Sequence, residues 1–148
     1  MKKIYYSYQE FIQDIKVMQK LISSDEVDTV VAISRGGLTF GHFLSESLNI
    51  RKVFSINSIS YNETQKLKNI EIFGVPDLKN SKKVLVVDDI ADSGRTLKSV
   101  MEKLESIYSD VDFKSATLFY SENSIYEPTY FIHKSSEWIE FFWSEDFK

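Results

Sequence analysis

Residues 84–97 read VLVVDDIADSGRTL, and this stretch decides the fold. It opens with four aliphatic residues, a run that suits a strand buried on both faces of a parallel sheet. Two adjacent acids, Asp88 and Asp89, follow where the aliphatic run ends. Open α/β sheets place their ligands at the carboxyl ends of their strands. The stretch therefore predicts a central buried strand with an acidic site at its carboxyl edge.

A turn of small and polar residues follows the two acids. Gly94 permits a backbone conformation that other residues rarely adopt. The helix predicted after it begins with free backbone N–H groups, which favour a phosphate. Acids that can hold hydroxyl groups or a metal ion thus lie beside a predicted phosphate site. This combination fits a phosphorylated sugar.

Two other interpretations of residues 84–97 are open at this point. Receiver domains also contain a strand that ends in two acids, but those acids lie near the start of the domain and a later strand ends in an acceptor Asp. Here the acids lie past mid-chain, and the next predicted strand, 116–120, ends without an Asp. The second alternative is a strand, turn and helix with a purely structural role.

Length and composition limit the classes of protein to be considered. The 148 residues predict a single domain, 1–148, with a substantial core. A net charge of -4 argues against nonspecific nucleic-acid binding, and the absence of cysteine excludes disulfides and thiolate metal sites. No apolar run is long enough to span a membrane, and residues 1–7 lack the features of a signal peptide. The expected location is the cytoplasm.

The rest of the chain alternates between predicted strands and helices. Ser7 and Glu10 form a capping box before apolar residues at helical spacing, which predicts an amphipathic helix packed on the sheet. Further strands are predicted at 28–33, 52–59, 111–120 and 129–133, and helices at 38–48 and after Gly94. The two histidines, His42 and His133, are interpreted as structural. The alternation predicts an α/β domain with a parallel sheet flanked by helices.

Residues 84–97 resemble the signature of type I phosphoribosyltransferases. That signature is a hydrophobic strand, two acids, two apolar residues and then Asp-Ser/Thr-Gly-x-Thr, and every part is present. The resemblance implies the type I phosphoribosyltransferase fold and binding of 5-phosphoribosyl-1-pyrophosphate (PRPP). Asp88 and Asp89 would bind the ribose, and Asp89 would also contact Mg²⁺. The residues that would bind the 5′-phosphate are Ala91, Asp92, Ser93, Gly94, Arg95 and Thr96, and Asp92 would be the catalytic base.

A second turn follows the strand at 28–33 and contains Ser34, Arg35, Gly36 and Gly37. Adjacent glycines let backbone N–H groups approach an anion, and the arginine adds positive charge. The turn is similar to the pyrophosphate-binding turn of xanthine-guanine phosphoribosyltransferases. The resemblance implies a cis peptide bond between Ser34 and Arg35.

Residues 60–69 are mostly polar, and their few apolar residues do not recur at the spacing of a helix or a strand. An exposed hairpin or linker is one interpretation. The resemblance favours a mobile lid over PRPP, because Ser60 and Tyr61 match the Ser-Tyr pair of the family. Such a lid would exclude water from the reacting sugar. Lys66 or Lys68 would then be able to reach the pyrophosphate.

The C-terminal segment is predicted to form a small hood, roughly residues 121–148, which could include N-terminal residues. Trp138 and Ile139 match a pair that packs on the purine in xanthine-guanine phosphoribosyltransferases, and Trp143 matches a structural tryptophan. Ser121 stands where that subfamily has a lysine that contacts the 6-oxo group, so the resemblance implies that Ser121 contacts the base. A hydroxyl group supplies no charge, so the identity of the base stays open.

The resemblance implies a Mg²⁺-dependent enzyme of purine salvage. It would transfer the phosphoribosyl group from PRPP to a nucleobase, with a purine favoured, and release pyrophosphate and a nucleoside 5′-monophosphate. The expected partners are PRPP, a nucleobase and further copies of the chain in a homodimer or homotetramer. Two alternatives are a non-catalytic PRPP or nucleotide sensor with the same fold and a phosphoribosyltransferase for a non-purine acceptor.

Overall fold

The computed structural model describes residues 2–61, 69–144 and 147, without the side chain of Tyr61. The helices are α1 (Tyr8–Ile22), α2 (Leu38–Leu48) and α3 (Arg95–Ile107), with a short 3-10 turn at Ser23–Asp25. The strands are β1 (Lys3–Tyr6), β2 (Thr29–Ser34), β3 (Lys52–Tyr61), β4 (Asn69–Phe73), β5 (Lys83–Ala91), β6 (Asp112–Tyr120), β7 (Tyr130–Lys134) and β8 (Trp138–Phe141).

Six strands form the main sheet in the order β4-β3-β2-β5-β6-β7. Its neighbouring strands are parallel except for β3 and β4, which are antiparallel. The strand with the two acids, β5, therefore lies between β2 and β6. The predicted mainly parallel sheet flanked by helices is confirmed.

Both faces of the sheet are covered, as the aliphatic runs of β2 and β5 predict. Successive residues of a strand face opposite sides of the sheet. Leu85 and Val87 pack in one buried cluster with α1 and α2, and Val84 and Val86 pack in the other with α3. The capping box at the start of α1 is present, with Ser7 accepting from the Glu10 N–H at 3.1 Å.

A second, two-stranded sheet is built from segments far apart in the sequence. Strand β1 pairs in parallel with β8, from Lys3 opposite Trp138 to Tyr6 opposite Phe141. The buried residues Ile139 and Phe141 of β8 join the cluster that also contains α1. Within the segment predicted as a hood, roughly 121–148, β7 belongs to the main sheet. The hood that packs on this sheet is narrower and consists of residues 135–144 together with β1. No helix in the described ranges has the length and apolar character needed to cross a bilayer.

The strand assignments differ from the sequence predictions in several places. Strand β3 runs to Tyr61, two residues past its predicted end, because Ser60 and Tyr61 pair with β4. Strands β1 and β4 were not predicted, because each is short and is defined by its pairing partner rather than by a long alternating pattern. Strand β5 continues through both acids to Ala91, because its pairing with β6 extends to Ala91 opposite Tyr120. The acids therefore belong to the strand itself and have its rigid backbone.

Candidate active site

The candidate site is built around the two acids near the carboxyl end of β5. Asp88 is buried, and its Oδ1 accepts from the Asp89 N–H at 2.9 Å. Asp89 Oδ1 accepts in turn from the Ile90 N–H at 2.7 Å. Burial raises the pKa of both carboxyl groups, and the negative charge of Asp89 raises the pKa of Asp88 further. A ligand that brings a cation or hydroxyl donors would favour the ionised form of this pair.

The loop after β5 encloses a small cavity of about 100 Å³. Gly94 has a φ of 80° and immediately precedes the first residue of α3. Of the residues predicted to bind the 5′-phosphate, five line the cavity: Ala91, Asp92, Ser93, Gly94 and Thr96. Arg95 does not line it, and its N–H lies 3.3 Å from Ser93 Oγ. The cavity is of a size for one phosphate group at the start of a helix.

Residues 121–126 pack behind the loop after β5. This loop, residues 91–96, is called the phosphate loop after its predicted ligand, and its backbone is held by hydrogen bonds from residues 121–126. The N–H of Ser121 donates to the Ala91 carbonyl at 3.0 Å, and the N–H of Ile125 donates to the Ser93 carbonyl at 2.8 Å. A Cβ atom at position 94 would lie 2.8 Å from the Tyr126 nitrogen. Glycine is therefore required at this position both by the positive φ and by this close approach.

The Ser34–Gly37 turn lies against the acidic pair. Its predicted cis peptide bond between Ser34 and Arg35 is confirmed. A Cβ atom on Gly36 would be 2.7 Å from both carboxylate oxygens of Asp89, so the glycine backbone directly contacts this side chain. The predicted pyrophosphate turn and the predicted metal-contacting acid thus share one edge of the sheet.

A larger cavity of about 450 Å³ lies under the hood. Its described lining residues are Ile90, Asp92, Ser136, Glu137, Trp138, Ile139, Phe141 and Ser144. Trp138 remains 58% exposed, whereas Ile139 is buried. Asp92 and Ile90 line both this cavity and the phosphate-loop cavity. The structure therefore places Trp138 and Ile139 in the lining of the same cavity as Asp92.

Ser121 lies apart from this cavity lining. Its side chain is buried, and its Oγ accepts from the Asn123 N–H at 3.2 Å within the turn after β6. The geometry thus places Ser121 behind the phosphate loop, where it braces the backbone. This position gives no support to the prediction that Ser121 contacts the base.

The predicted lid falls largely outside the described residues. Ser60 is exposed near the end of β3 and pairs with Ile70 of β4, and the backbone of Tyr61 pairs with Asn69. Residues 62–68, which include Lys66 and Lys68, are outside the described part of the chain. The assignment of a lid therefore stays a prediction.

Sequence reasoning missed several residues that line the larger cavity. Ser136 and Glu137 are polar residues that precede β8, Ser144 follows it, and Phe141 is its last residue. Glu137 directly precedes Trp138, so its position beside a predicted base-contacting residue was the one available signal.

The two histidines lie in different environments. His133 is structural, as predicted, because its Nε2 lies 2.7 Å from Asp14 Oδ2, the same oxygen that accepts from the Tyr6 hydroxyl at 2.6 Å. His42 is not packed in the core, since its side chain is 71% exposed and lies 3.7 Å from Glu46. It lines a separate cavity of about 500 Å³ between α2 and β3, which does not include the acidic pair.

Comparison with known sequences identifies the class of protein that this fold and site define. The phosphoribosyl transferase domain family matches residues 2–148, and the chain belongs to that family. The xanthine-guanine phosphoribosyltransferase of Idiomarina loihiensis is 28% identical over 105 residues, which make up 70% of this chain and 65% of the relative. The corresponding enzyme of a Ruegeria species is 31% identical over 123 residues, 77% of this chain and 66% of the relative. These matches span slightly less than two thirds of either relative.

Solved structures show the same fold over nearly the whole chain. The xanthine-guanine-hypoxanthine phosphoribosyltransferase of Helicobacter pylori is 36% identical, with a TM-score of 0.89 over 96% of this chain and 94% of that one. A purine phosphoribosyltransferase from Pyrococcus horikoshii is 26% identical, with a TM-score of 0.86 over 99% and 97% of the two chains. The predicted type I phosphoribosyltransferase fold is confirmed.

Proposed function

We propose that this protein transfers the 5-phosphoribosyl group of PRPP to a ring nitrogen of a purine base. The products would be pyrophosphate and a purine nucleoside 5′-monophosphate. One observation carries the proposal: Asp92 lines both the phosphate-loop cavity and the larger cavity under the hood. A sugar phosphate held in the first and a planar base held in the second would meet at this carboxylate.

The choice of a purine is supported by the relatives and by the walls of the larger cavity. The similar proteins from I. loihiensis and H. pylori are named for xanthine, guanine and, in the latter, hypoxanthine. Trp138, Ile139 and Phe141 supply apolar and aromatic surface to a cavity of about 450 Å³. Such surfaces stack well on a flat heterocycle.

The site residues would act on the reaction through charge and position. The bond between C1 of the ribose and the pyrophosphate oxygen breaks while a bond from the base nitrogen to C1 forms. Positive charge that develops on the ribose would be stabilised by Asp88 and Asp89 in their ionised form, which would also accept from the ribose hydroxyl groups. Asp92 would take or orient the proton that the base nitrogen loses.

The donor set of the acidic pair fits Mg²⁺. This ion prefers oxygen ligands and is often held by one or two carboxylates together with substrate phosphates. In the described residues no three His, Cys, Asp or Glu side chains form a cluster, so substrate oxygens would complete the shell. Asp89, next to the Gly36 backbone, is the residue that would hold the ion. Bound there, Mg²⁺ would neutralise the charge of the leaving pyrophosphate.

A base panel tests the proposal. The protein is incubated with PRPP and Mg²⁺ and with guanine, xanthine, hypoxanthine, adenine or uracil, and the mononucleotide is detected by mass. Formation of at least one purine mononucleotide, together with pyrophosphate, is the expected result. PRPP binding in calorimetry without product from any base would contradict the proposal and indicate a sensor. Product from uracil alone would indicate a non-purine acceptor.

A further inference from the structure

The larger cavity has an acid on each of two walls. Of the described residues that line it, the charged ones are Asp92 and Glu137. Asp92 belongs to the phosphate loop, whereas Glu137 immediately precedes β8 in the hood. Under the proposed function, Asp92 lies at the end of the base that joins the ribose. Glu137, on the hood wall, is then available to the six-membered ring at the other end.

The backbone of Glu137 is held in place while its carboxylate is only loosely engaged. Its N–H donates to Ser135 Oγ at 3.1 Å, and the next N–H, that of Trp138, donates to the Lys2 carbonyl at 3.3 Å. Lys2 Nζ lies 3.8 Å from Glu137 Oε1, with the two side chains 78% and 38% exposed. Ion pairs between exposed groups at this distance contribute little. A ligand in the cavity can therefore compete for the carboxylate.

We propose that Glu137 is a specificity-determining residue that selects guanine over xanthine. This inference rests on the proposed function and names the base for the same site. An ionised carboxylate only accepts hydrogen bonds, through two oxygens side by side. Guanine presents two adjacent donors, the N1–H and the 2-amino group, which match that geometry.

The competing bases match the carboxylate less well. Xanthine keeps the N1–H but has a carbonyl oxygen at position 2, which would face a carboxylate oxygen as a second acceptor. Hypoxanthine keeps the N1–H and has no group at position 2. The expected order of preference is therefore guanine, then hypoxanthine, then xanthine. A hydrogen bond to a charged group is worth roughly ten- to a hundredfold in discrimination.

The test compares kcat/KM for the three bases at saturating PRPP in the native protein, in Glu137→Gln and in Glu140→Gln. Glu140 is an exposed acid of β8, three residues after Glu137, and does not line the cavity, so its variant is the matched control. The native protein is expected to prefer guanine over xanthine by about tenfold or more. In Glu137→Gln that ratio should fall by about tenfold, because the amide can donate to the 2-carbonyl of xanthine and carries no charge. The control should retain the native ratio.

Two results would overturn the inference while leaving the proposed function intact. One is a guanine-to-xanthine ratio in Glu137→Gln that equals the native ratio. The other, which requires no variant, is a native protein that uses xanthine as efficiently as guanine. If no base at all yields a nucleotide, the proposed function fails and takes this inference with it. The KM for PRPP should be the same in the three proteins, since Glu137 lies outside the phosphate loop.

Discussion

At the scale of single residues, the proposed chemistry depends most on Asp92. It is the one acid that lines both the phosphate-loop cavity and the larger cavity among the described residues. A carboxylate there can touch a base and the sugar that the base attacks. The neighbouring acids Asp88 and Asp89 belong to β5, and Asp88 lines the phosphate-loop cavity.

Asp92→Asn should lower kcat by about a hundredfold or more, because a positioned general base typically contributes that much. PRPP affinity should stay within about threefold, since the amide keeps the size and one acceptor oxygen of the side chain. Steady-state kinetics and calorimetry with PRPP measure the two quantities. Asp77→Asn, in an exposed turn, is the control. An unchanged kcat would remove Asp92 from the mechanism.

Asp88→Asn should stabilise the ligand-free fold and weaken PRPP binding. Burial and the charge of Asp89 raise the pKa of Asp88 well above 3.8 in the folded state. The folded chain then binds more protons than the unfolded chain, so stability falls as the pH rises from about 4 toward the raised pKa. Thermal melts between pH 4 and 8 should show a shallower decline for the variant than for the native protein.

The exposed acid Asp110 provides the control for that experiment, as Asp110→Asn should leave the pH dependence of the melting temperature unchanged. In the native protein, the pH dependence of PRPP affinity should be opposite to that of stability. PRPP affinity should increase as the pH rises through the raised pKa, because the ribose hydroxyls and Mg²⁺ favour the ionised carboxylate. A variant that melts earlier than the native protein at pH 8 would contradict this account of Asp88.

At the scale of elements, the site depends on two turns that meet at the carboxyl ends of β2 and β5. The Gly36 backbone lies against the Asp89 carboxylate, whereas Gly37 lies against backbone, with a Cβ placed there 2.5 Å from the Val87 carbonyl oxygen. Adjacent glycines therefore serve different purposes. Gly36 allows the Asp89 side chain to lie close to the turn, whereas Gly37 allows the turn to pack closely on the backbone of the sheet.

Gly36→Ala and Gly37→Ala form a matched pair. The new methyl group of Gly36→Ala must displace Asp89, so kcat/KM for PRPP should fall by about tenfold or more with a small change in melting temperature. Gly37→Ala should instead destabilise the protein by about 1–3 kcal/mol, as overpacking against backbone does. Kinetics and thermal melts of both variants distinguish the two roles. Equal losses of stability would contradict the assignment of Gly36 to the site.

The elements that the sequence predicted are those with a strong local pattern. The aliphatic run of β5, the helical spacing after Ser7 and the glycine turns could be interpreted without tertiary information. Strands β1 and β4 could not, because short strands are fixed by their partners. Glu137 also escaped prediction, since only the folding of the hood over the β5 loop brings it to the same cavity as Asp92.

At the scale of the whole molecule, a partly buried polar network joins three separate elements. Asp14 of α1 accepts from the Tyr6 hydroxyl of β1 and lies 2.7 Å from His133 of β7. The Tyr6 ring also packs edge to face on Phe119 and Phe141, at centroid distances of 5.1 and 5.7 Å. Burial, followed by the hydrogen bond to Asp14, raises the pKa of Tyr6, so this hydroxyl stays a donor. The network anchors the two-stranded sheet of the hood to the main sheet.

Asp14→Ala should destabilise the protein by about 3 kcal/mol, because it leaves the buried Tyr6 hydroxyl without its acceptor and His133 without its partner. The KM for the base should also rise, since the hood carries Trp138 and Ile139. Chemical denaturation and base kinetics measure these effects. His42→Ala, at the exposed histidine, should change stability by less than about 0.5 kcal/mol. Equal stability of the two variants would show that the network does not hold the hood.

The pairing of β1 with β8 sets an order of events during synthesis on the ribosome. Strand β1 emerges first, yet its partner, Trp138–Phe141, follows some 130 residues later. Strands β2 to β5 can pair before the ribosome has delivered that partner, and closing so long a loop carries an entropic cost. A nascent chain would thus contain the acidic end of β5 before it contains the cavity under the hood. The N-terminal strand would stay unpaired until translation reached β8.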